Sequence, residues 1–237
     1  MERAARFVLL LAALWAVSQA FPTAHAALTL AQRLQQLGLG SAGNRPTQWL
    51  ERLGVFEGRP ARERLLVVNG DGLIVHSLDG EEAHVKITAD VDDELRREGA
   101  DLVLVHNHPN SSGLSKDDLS QLGKAGVAAV IAIGHDGSVY AAARGPRFDL
   151  VVCGGDRYSN VREDVQRTLL READAADVAR LTESFSPHLA ALVLARSRYI
   201  EYIACLAPDR QASFERDRPV FGRVIASVSA KLDARKD

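Results

Sequence analysis

One stretch decides the fold and points to the chemistry: an apolar run that ends in two histidines, Leu102-Val103-Leu104-Val105-His106-Asn107-His108-Pro109. A short, continuous apolar run closed by a proline is typical of a buried central strand. Residues two apart on a strand point to the same face. The sequence therefore predicts that His106 and His108 can reach one metal ion.

A second motif, Ser-Lys-Asp-Asp at positions 115–118, follows after a short polar loop. The spacing predicts a helix over 116–125 with Ser115 at its N-cap and the two acids in its first turn, where a helix N-terminus favours negative charge. This turn can bring Asp118 back to the histidines, and Asp117 is the competing carboxylate. Ser115 would then lie where it can donate a hydrogen bond to a developing oxyanion.

Two imidazoles and one carboxylate make three protein ligands, and three ligands with a fourth position left open are typical of a catalytic zinc site. Such a site also needs a base that takes a proton from water and hands it to the leaving group. Glutamate is the usual residue, and the upstream candidates are Glu57, Glu63, Glu81 and Glu82. Glu63 is favoured because it directly precedes a predicted strand, 65–68.

Hydrophobic periodicity predicts an α+β core over 62–145, with helices that pack on it or form a small C-terminal module. The strands are predicted at 65–68, 73–75, 84–88, 101–105, 127–133 and 138–143, with helices at 90–99 and 116–125. A short helical segment and linker are predicted over 27–61, including helices at 28–39 and 49–53. The region 146–237 is predicted to be helical, with segments at 160–174, 176–183, 187–205 and 220–232.

The first 26 residues read as a cleaved secretory signal. Arg3 and Arg6 precede an apolar run over 7–17, and Ala24 and Ala26 are the small residues that a signal peptidase requires. The alternatives are an uncleaved membrane anchor, in which case the protein would meet a membrane, or a buried N-terminal helix. We expect an exported, periplasmic or secreted protein, whose Cys153 and Cys205 either pair or remain separate buried thiols.

The overall composition and charge limit the class of protein and its partners only broadly. The 237 residues are 46% hydrophobic and 25% charged, which is typical of a globular chain that buries a sizeable core. A formal charge of −2 and the lack of a long Lys/Arg block give no electrostatic footprint for nucleic acid. We therefore expect no nucleic-acid partner.

The pattern of a glutamate, His-x-His-Pro and Ser-x-x-Asp resembles the JAMM (MPN+) zinc metalloenzymes, and the His-Asn-His-Pro version looks most like their prokaryotic and RadC-like members. The resemblance extends over roughly residues 62–145, from Glu63 to the segment that follows Asp136-Gly137. It implies a JAMM/MPN-like, cytidine-deaminase-like mixed sheet flanked by helices, followed by a helical C-terminal extension. The site residues that it implies are zinc ligands His106, His108 and Asp118, oxyanion-stabilising Ser115 and general base Glu63.

The same resemblance implies a zinc-dependent hydrolase, a metallopeptidase or isopeptidase that cleaves an amide bond with one Zn²⁺ per chain. One departure from the family pattern is that six residues, not seven, separate His108 from Ser115. A register moved by one would place Lys116 and Leu119 at the functional positions, where neither can act. Two alternatives stay open: a JAMM-like binding or scaffold module without catalysis, and a zinc hydrolase of a non-peptide amide.

Overall fold

The computed structural model describes residues 44–55, 62–81 and 84–235 of the chain. The predicted signal at 1–26 and the predicted helix at 28–39 lie outside the described residues. The helices are α1 (Asn44–Leu53), α2 (Ala89–Arg96), α3 (Lys116–Gln121), α4 (Leu150–Cys153), α5 (Asp156–Glu172), α6 (Ala175–Arg196), α7 (Pro208–Arg216) and α8 (Arg218–Ala234). The strands are β1 (Arg64–Val68), β2 (Ile74–Asp79), β3 (Leu102–His108), β4 (Val127–Gly134), β5 (Val139–Arg144) and β6 (Ile200–Cys205).

The strands form one six-stranded mixed sheet in the order β2-β1-β3-β4-β5-β6. The central pair β3 and β4 is parallel, and every other neighbouring pair is antiparallel. All seven residues of β3 are buried, as expected for a strand with neighbours on both sides. The α+β fold with a mixed sheet flanked by helices is thus confirmed.

The two faces of the sheet carry different layers. On one face, Leu102 and Leu104 of β3 belong to a large apolar cluster that includes buried residues of α2, α3, α5, α6 and α8. On the other face, Val103 and Val105 pack in a cluster with Trp49 and other residues of α1. Alternation along β3 therefore puts His106 and His108 on the face of the larger helical layer and Asn107 on the opposite face.

Two predicted elements are wrong. The segment 84–88 is not a strand: Val85 and Ile87 pack against the core, but no residue of the segment joins the six-stranded sheet. The helices predicted over 176–183 and 187–205 are one continuous helix, α6, which runs through Pro187 and ends at Arg196. Residues 200–205 then form β6, which pairs with β5. A left-handed Arg198, with φ of 64°, turns the chain there, and aromatic and β-branched residues favour a strand after it.

The cysteines are both buried and free. Cys153 packs in the cluster on the histidine face and Cys205 in the cluster on the opposite face, so the sheet separates them. Of the two alternatives from the sequence, the structure has two separate buried thiols. Within the described ranges, no helix has the length and apolar character needed to cross a membrane.

Candidate metal centre

Two buried imidazoles form the centre of the site. His106 and His108 end β3, and their side chains are 6% and 8% exposed. The two Nε2 atoms are 2.9 Å apart, and the rings meet edge to face with centroids 4.7 Å apart. The same-face prediction from strand alternation is confirmed.

Asp118 closes one side of this pair. Its Oδ1 lies 3.0 Å from Nε2 of His106, and its Oδ2 lies 3.3 Å from Nε2 of His108. Reciprocal bonds fix the carboxylate: the Ser115 N–H donates to Asp118 Oδ2 at 2.6 Å, and the Asp118 N–H donates to Ser115 Oγ at 3.2 Å. This arrangement is a capping box at the start of α3. The competing Asp117 is exposed.

Ser115 is the N-cap of α3 and is also the predicted donor to an oxyanion, and the two roles are compatible. Its oxygen accepts the Asp118 N–H as the helix N-cap, while a hydroxyl group still has a proton of its own to donate. The cap places Ser115 one hydrogen bond away from the carboxylate that contacts both histidines. The role of Ser115 toward an oxyanion stays a prediction.

Glu63 approaches from the neighbouring strand. The antiparallel pairing of β1 with β3 sets Leu65 opposite His106, which brings the residue just before β1 to the end of β3. Glu63 Oε1 lies 3.7 Å from Nε2 of His108. Among the other candidate bases, Glu81 is exposed, while Glu57 and Glu82 lie outside the described residues.

The donor atoms suit a cation. One ligand atom from each of Glu63, His106 and His108 lies within 4.8 Å of the others, so this buried group can hold a metal ion. The Nδ1 of His108 lies 2.9 Å from the carbonyl oxygen of Ser112, which can only accept a hydrogen bond. Nδ1 therefore carries a proton, and Nε2 is the ring nitrogen that faces the carboxylates, as in metal-binding histidines. The residues present thus fit a metal ion.

Electrostatics at the centre follow from burial and mutual contact. Burial raises the pKa of Glu63, and the nearby histidines only partly oppose this. Burial alone would raise the pKa of Asp118, but contact with His106 and His108 holds that pKa well below its usual value. Burial alone would lower the pKa of His108, but the Asp118 carboxylate outweighs it and the pKa is raised.

No family model, curated protein or solved structure matches this chain. The family resemblance therefore rests on the motif residues alone and stays a prediction.

The loop between His108 and Ser115 is held by residues that the sequence did not single out. Ser111 is left-handed, with φ of 55°, and its Oγ accepts the N–H of Asp136 at 2.9 Å. Its carbonyl accepts the hydroxyl of Tyr140 at 3.2 Å. No local pattern reveals these partners, because they lie 25 and 29 residues away along the chain.

The helical layer supports the other half of this loop. The hydroxyl of Tyr158, at the start of α5, donates to the carbonyl of Leu114 at 3.0 Å. Gly113 lies against His188 of α6, where a Cβ on the glycine would come 3.0 Å from the His188 backbone nitrogen. The region beyond residue 145 thus shapes the loop that carries Ser112 and Ser115.

Proposed function

We propose that this protein is a zinc-dependent hydrolase of the JAMM type that cleaves an amide bond, most simply in a peptide or protein. The observation that carries the proposal is the convergence of His106, His108, Asp118 and Glu63 at one end of β3. A buried set of two imidazoles and two carboxylates supplies three ligands and one further acid–base group.

In the proposed arrangement, His106, His108 and Asp118 would hold the zinc ion. Bound zinc would supply Lewis acidity and lower the pKa of a coordinated water to about 7. Glu63 takes the proton of the attacking water and returns it to the leaving amine. Ser115 donates a hydrogen bond to the oxygen that becomes negative as water adds to the amide carbon.

Zinc content is the first test of this proposal. The purified chain is expected to hold close to one zinc, and His106→Ala and Asp118→Ala should both lose it. Asp117→Ala is the matched control, because it removes a neighbouring carboxylate of the same turn that is exposed. Loss of zinc in Asp117→Ala with retention in Asp118→Ala would refute the ligand assignment.

Turnover is the second test. Glu63→Gln keeps the size of the side chain but cannot accept a proton, so we expect zinc to stay bound while hydrolysis of a peptide library falls roughly 10²–10⁴-fold. Full activity in this variant would remove Glu63 from the mechanism. Full zinc occupancy with no hydrolysis of any peptide by the unaltered chain would favour a non-catalytic metal-binding module.

We further propose that the enzyme works in an exported compartment, on a peptide, an envelope protein or a wall component. The support is the charged and apolar pattern of residues 1–26 together with its small-residue cleavage site. N-terminal sequencing of the protein recovered from its producing cells should begin at Ala27. A chain that retains Met1 would contradict cleavage.

A further inference from the structure

The residue between the two histidines has a separate task. Asn107 is fully buried and lies on the opposite face of β3 from His106 and His108. Its side chain reaches sideways to the segment that carries Glu63: Oδ1 accepts the N–H of Arg64 at 2.6 Å, and Nδ2 donates to the carbonyl of Arg62 at 2.9 Å.

The orientation of this amide is unambiguous. A backbone N–H can only donate and a carbonyl can only accept, so the oxygen must face Arg64 and the nitrogen must face Arg62. The second proton of Nδ2 is directed to Nε2 of His135, 3.1 Å away in the turn between β4 and β5. Both donors and the acceptor of the buried amide are therefore used, as burial requires.

The Asn107 side chain makes these hydrogen bonds beyond the point where backbone pairing between β1 and β3 ends. The antiparallel pairing of β1 with β3 stops at Leu65 and His106. Beyond it, the Asn107 side chain binds the peptide groups that flank Glu63. On the other side, the N–H of Glu63 donates to Glu81 and its carbonyl accepts from Gly80, at 2.9 and 2.8 Å.

Fixing the two peptide groups on either side of one Cα fixes its φ and ψ, and hence the direction of its Cβ. We infer that Asn107 is a positioning residue that clamps the backbone on both sides of Glu63 and thereby aims its carboxylate at the histidine pair. The end of β3 then supplies two predicted ligands, the histidines, from one face, and its Asn107 on the other face orients Glu63. The inference rests on the proposed function, in which Glu63 is the base.

The clamp is tested first by amide hydrogen exchange at Arg64, which needs neither a metal nor a substrate. Asn107→Leu keeps the branched shape of the side chain but makes no hydrogen bonds, and exchange at Arg64 should accelerate at least about tenfold. Asn107→Asp retains an acceptor oxygen and should restore most of the protection. Val105→Ala is the matched control: it disturbs the same face of β3 and should leave Arg64 protected. Unchanged exchange at Arg64 in Asn107→Leu would overturn the inference.

The second test separates positioning from general damage to the fold. Asn107→Leu should keep close to one zinc per chain and a KM within about threefold, while kcat falls roughly 100-fold, as expected for a misplaced catalytic group. In the Glu63→Gln background, the same change should lower kcat no further, since the two residues act as one unit. An equal loss in both backgrounds, or loss of zinc in Asn107→Leu, would show that Asn107 acts through another residue and overturn the inference.

The two proposals fail in different ways. A chain without hydrolytic activity refutes the proposed function, while accelerated exchange at Arg64 in Asn107→Leu still supports the clamp. Conversely, an active enzyme in which Asn107→Leu turns over at the normal rate refutes the positioning role and leaves the zinc hydrolase in place. Should Asn107→Leu fail to fold, Asn107→Asp takes its place. Its carboxylate cannot donate to the Arg62 carbonyl, so kcat should fall further than in Val105→Ala while Arg64 stays protected; a kcat loss no larger than that of Val105→Ala would overturn the inference.

Discussion

His188 should make the stability of this protein sensitive to mild acid. It is 4% exposed on α6, its Nδ1 lies 2.8 Å from the hydroxyl of Tyr202, and its ring packs against Tyr140 and Phe214. Burial, with a smaller contribution from the cation of Arg210, lowers its pKa from 6.5 to about 3. Between pH 6.5 and about 3, the imidazole is therefore neutral in the folded protein and protonated in the unfolded chain.

The sign and size of the effect follow from that difference. Between pH 6.5 and about 3 the unfolded state binds one more proton than the folded state, so the stability contributed by neutral His188 is present above pH 6.5 and is lost as the pH falls. The loss is about 1.4 kcal/mol at pH 5.5 and about 2.7 kcal/mol at pH 4.5. Against a typical total of roughly 5–15 kcal/mol, this is readily measured.

The assay is urea unfolding at pH 7.5, 5.5 and 4.5, with a chelator present so that metal binding does not contribute. His188→Gln should be less stable at pH 7.5, because ring packing is lost, but should lose about 2.7 kcal/mol less than the unaltered chain on going to pH 4.5. Ala190→Gly, on the same helix, should cost about 1 kcal/mol at every pH and keep the full pH dependence. Equal pH dependence in His188→Gln and the unaltered chain would refute the reasoning.

Three further predictions concern the loop, the cap and the cysteines. Gly113→Ala brings a Cβ within 3.0 Å of the His188 backbone, so the loop must move, and zinc affinity measured by chelator competition should fall about tenfold; unchanged affinity would mean that the loop yields without disturbing the ligands. Ser115→Ala should lower the free energy of unfolding by about 1 kcal/mol through the lost cap, and kcat by about 10²–10³-fold; a loss of stability alone would leave Ser115 as a cap only. Burial raises the pKa of Cys153 to about 12 and that of Cys205 to about 11, so a thiol reagent should titrate both only after unfolding; a disulfide would contradict the structure.

Local patterns predicted a large part of the molecule. Strand alternation and helix capping act between residues a few positions apart. The sequence therefore shows the apolar run before His106, the predicted strands that correspond to β1, β2, β4 and β5, and the serine cap of α3. The α+β class followed from the order of these elements. The metal ligands, the base and the hydrolytic function stay predictions, which the measurements above decide.

The tertiary structure decided what depends on distant partners. Strand β6 was missed because Ile200 to Cys205 become a strand by pairing with β5, and strand preference depends strongly on such neighbours. The approach of Glu63 to His108 follows from the register of β1 against β3, and the carboxylate competition between Asp117 and Asp118 depends on which one faces the pair.

The sequence by itself thus determined which residues can do chemistry here: two histidines on one strand face and a capped carboxylate after a short loop. Only the tertiary structure decided how they are held, by Asn107 across to the Glu63 segment and by Tyr140, Tyr158 and His188 under the loop. The physical reason is that a buried polar group must find a partner, and the chain can supply that partner from any distance along its length.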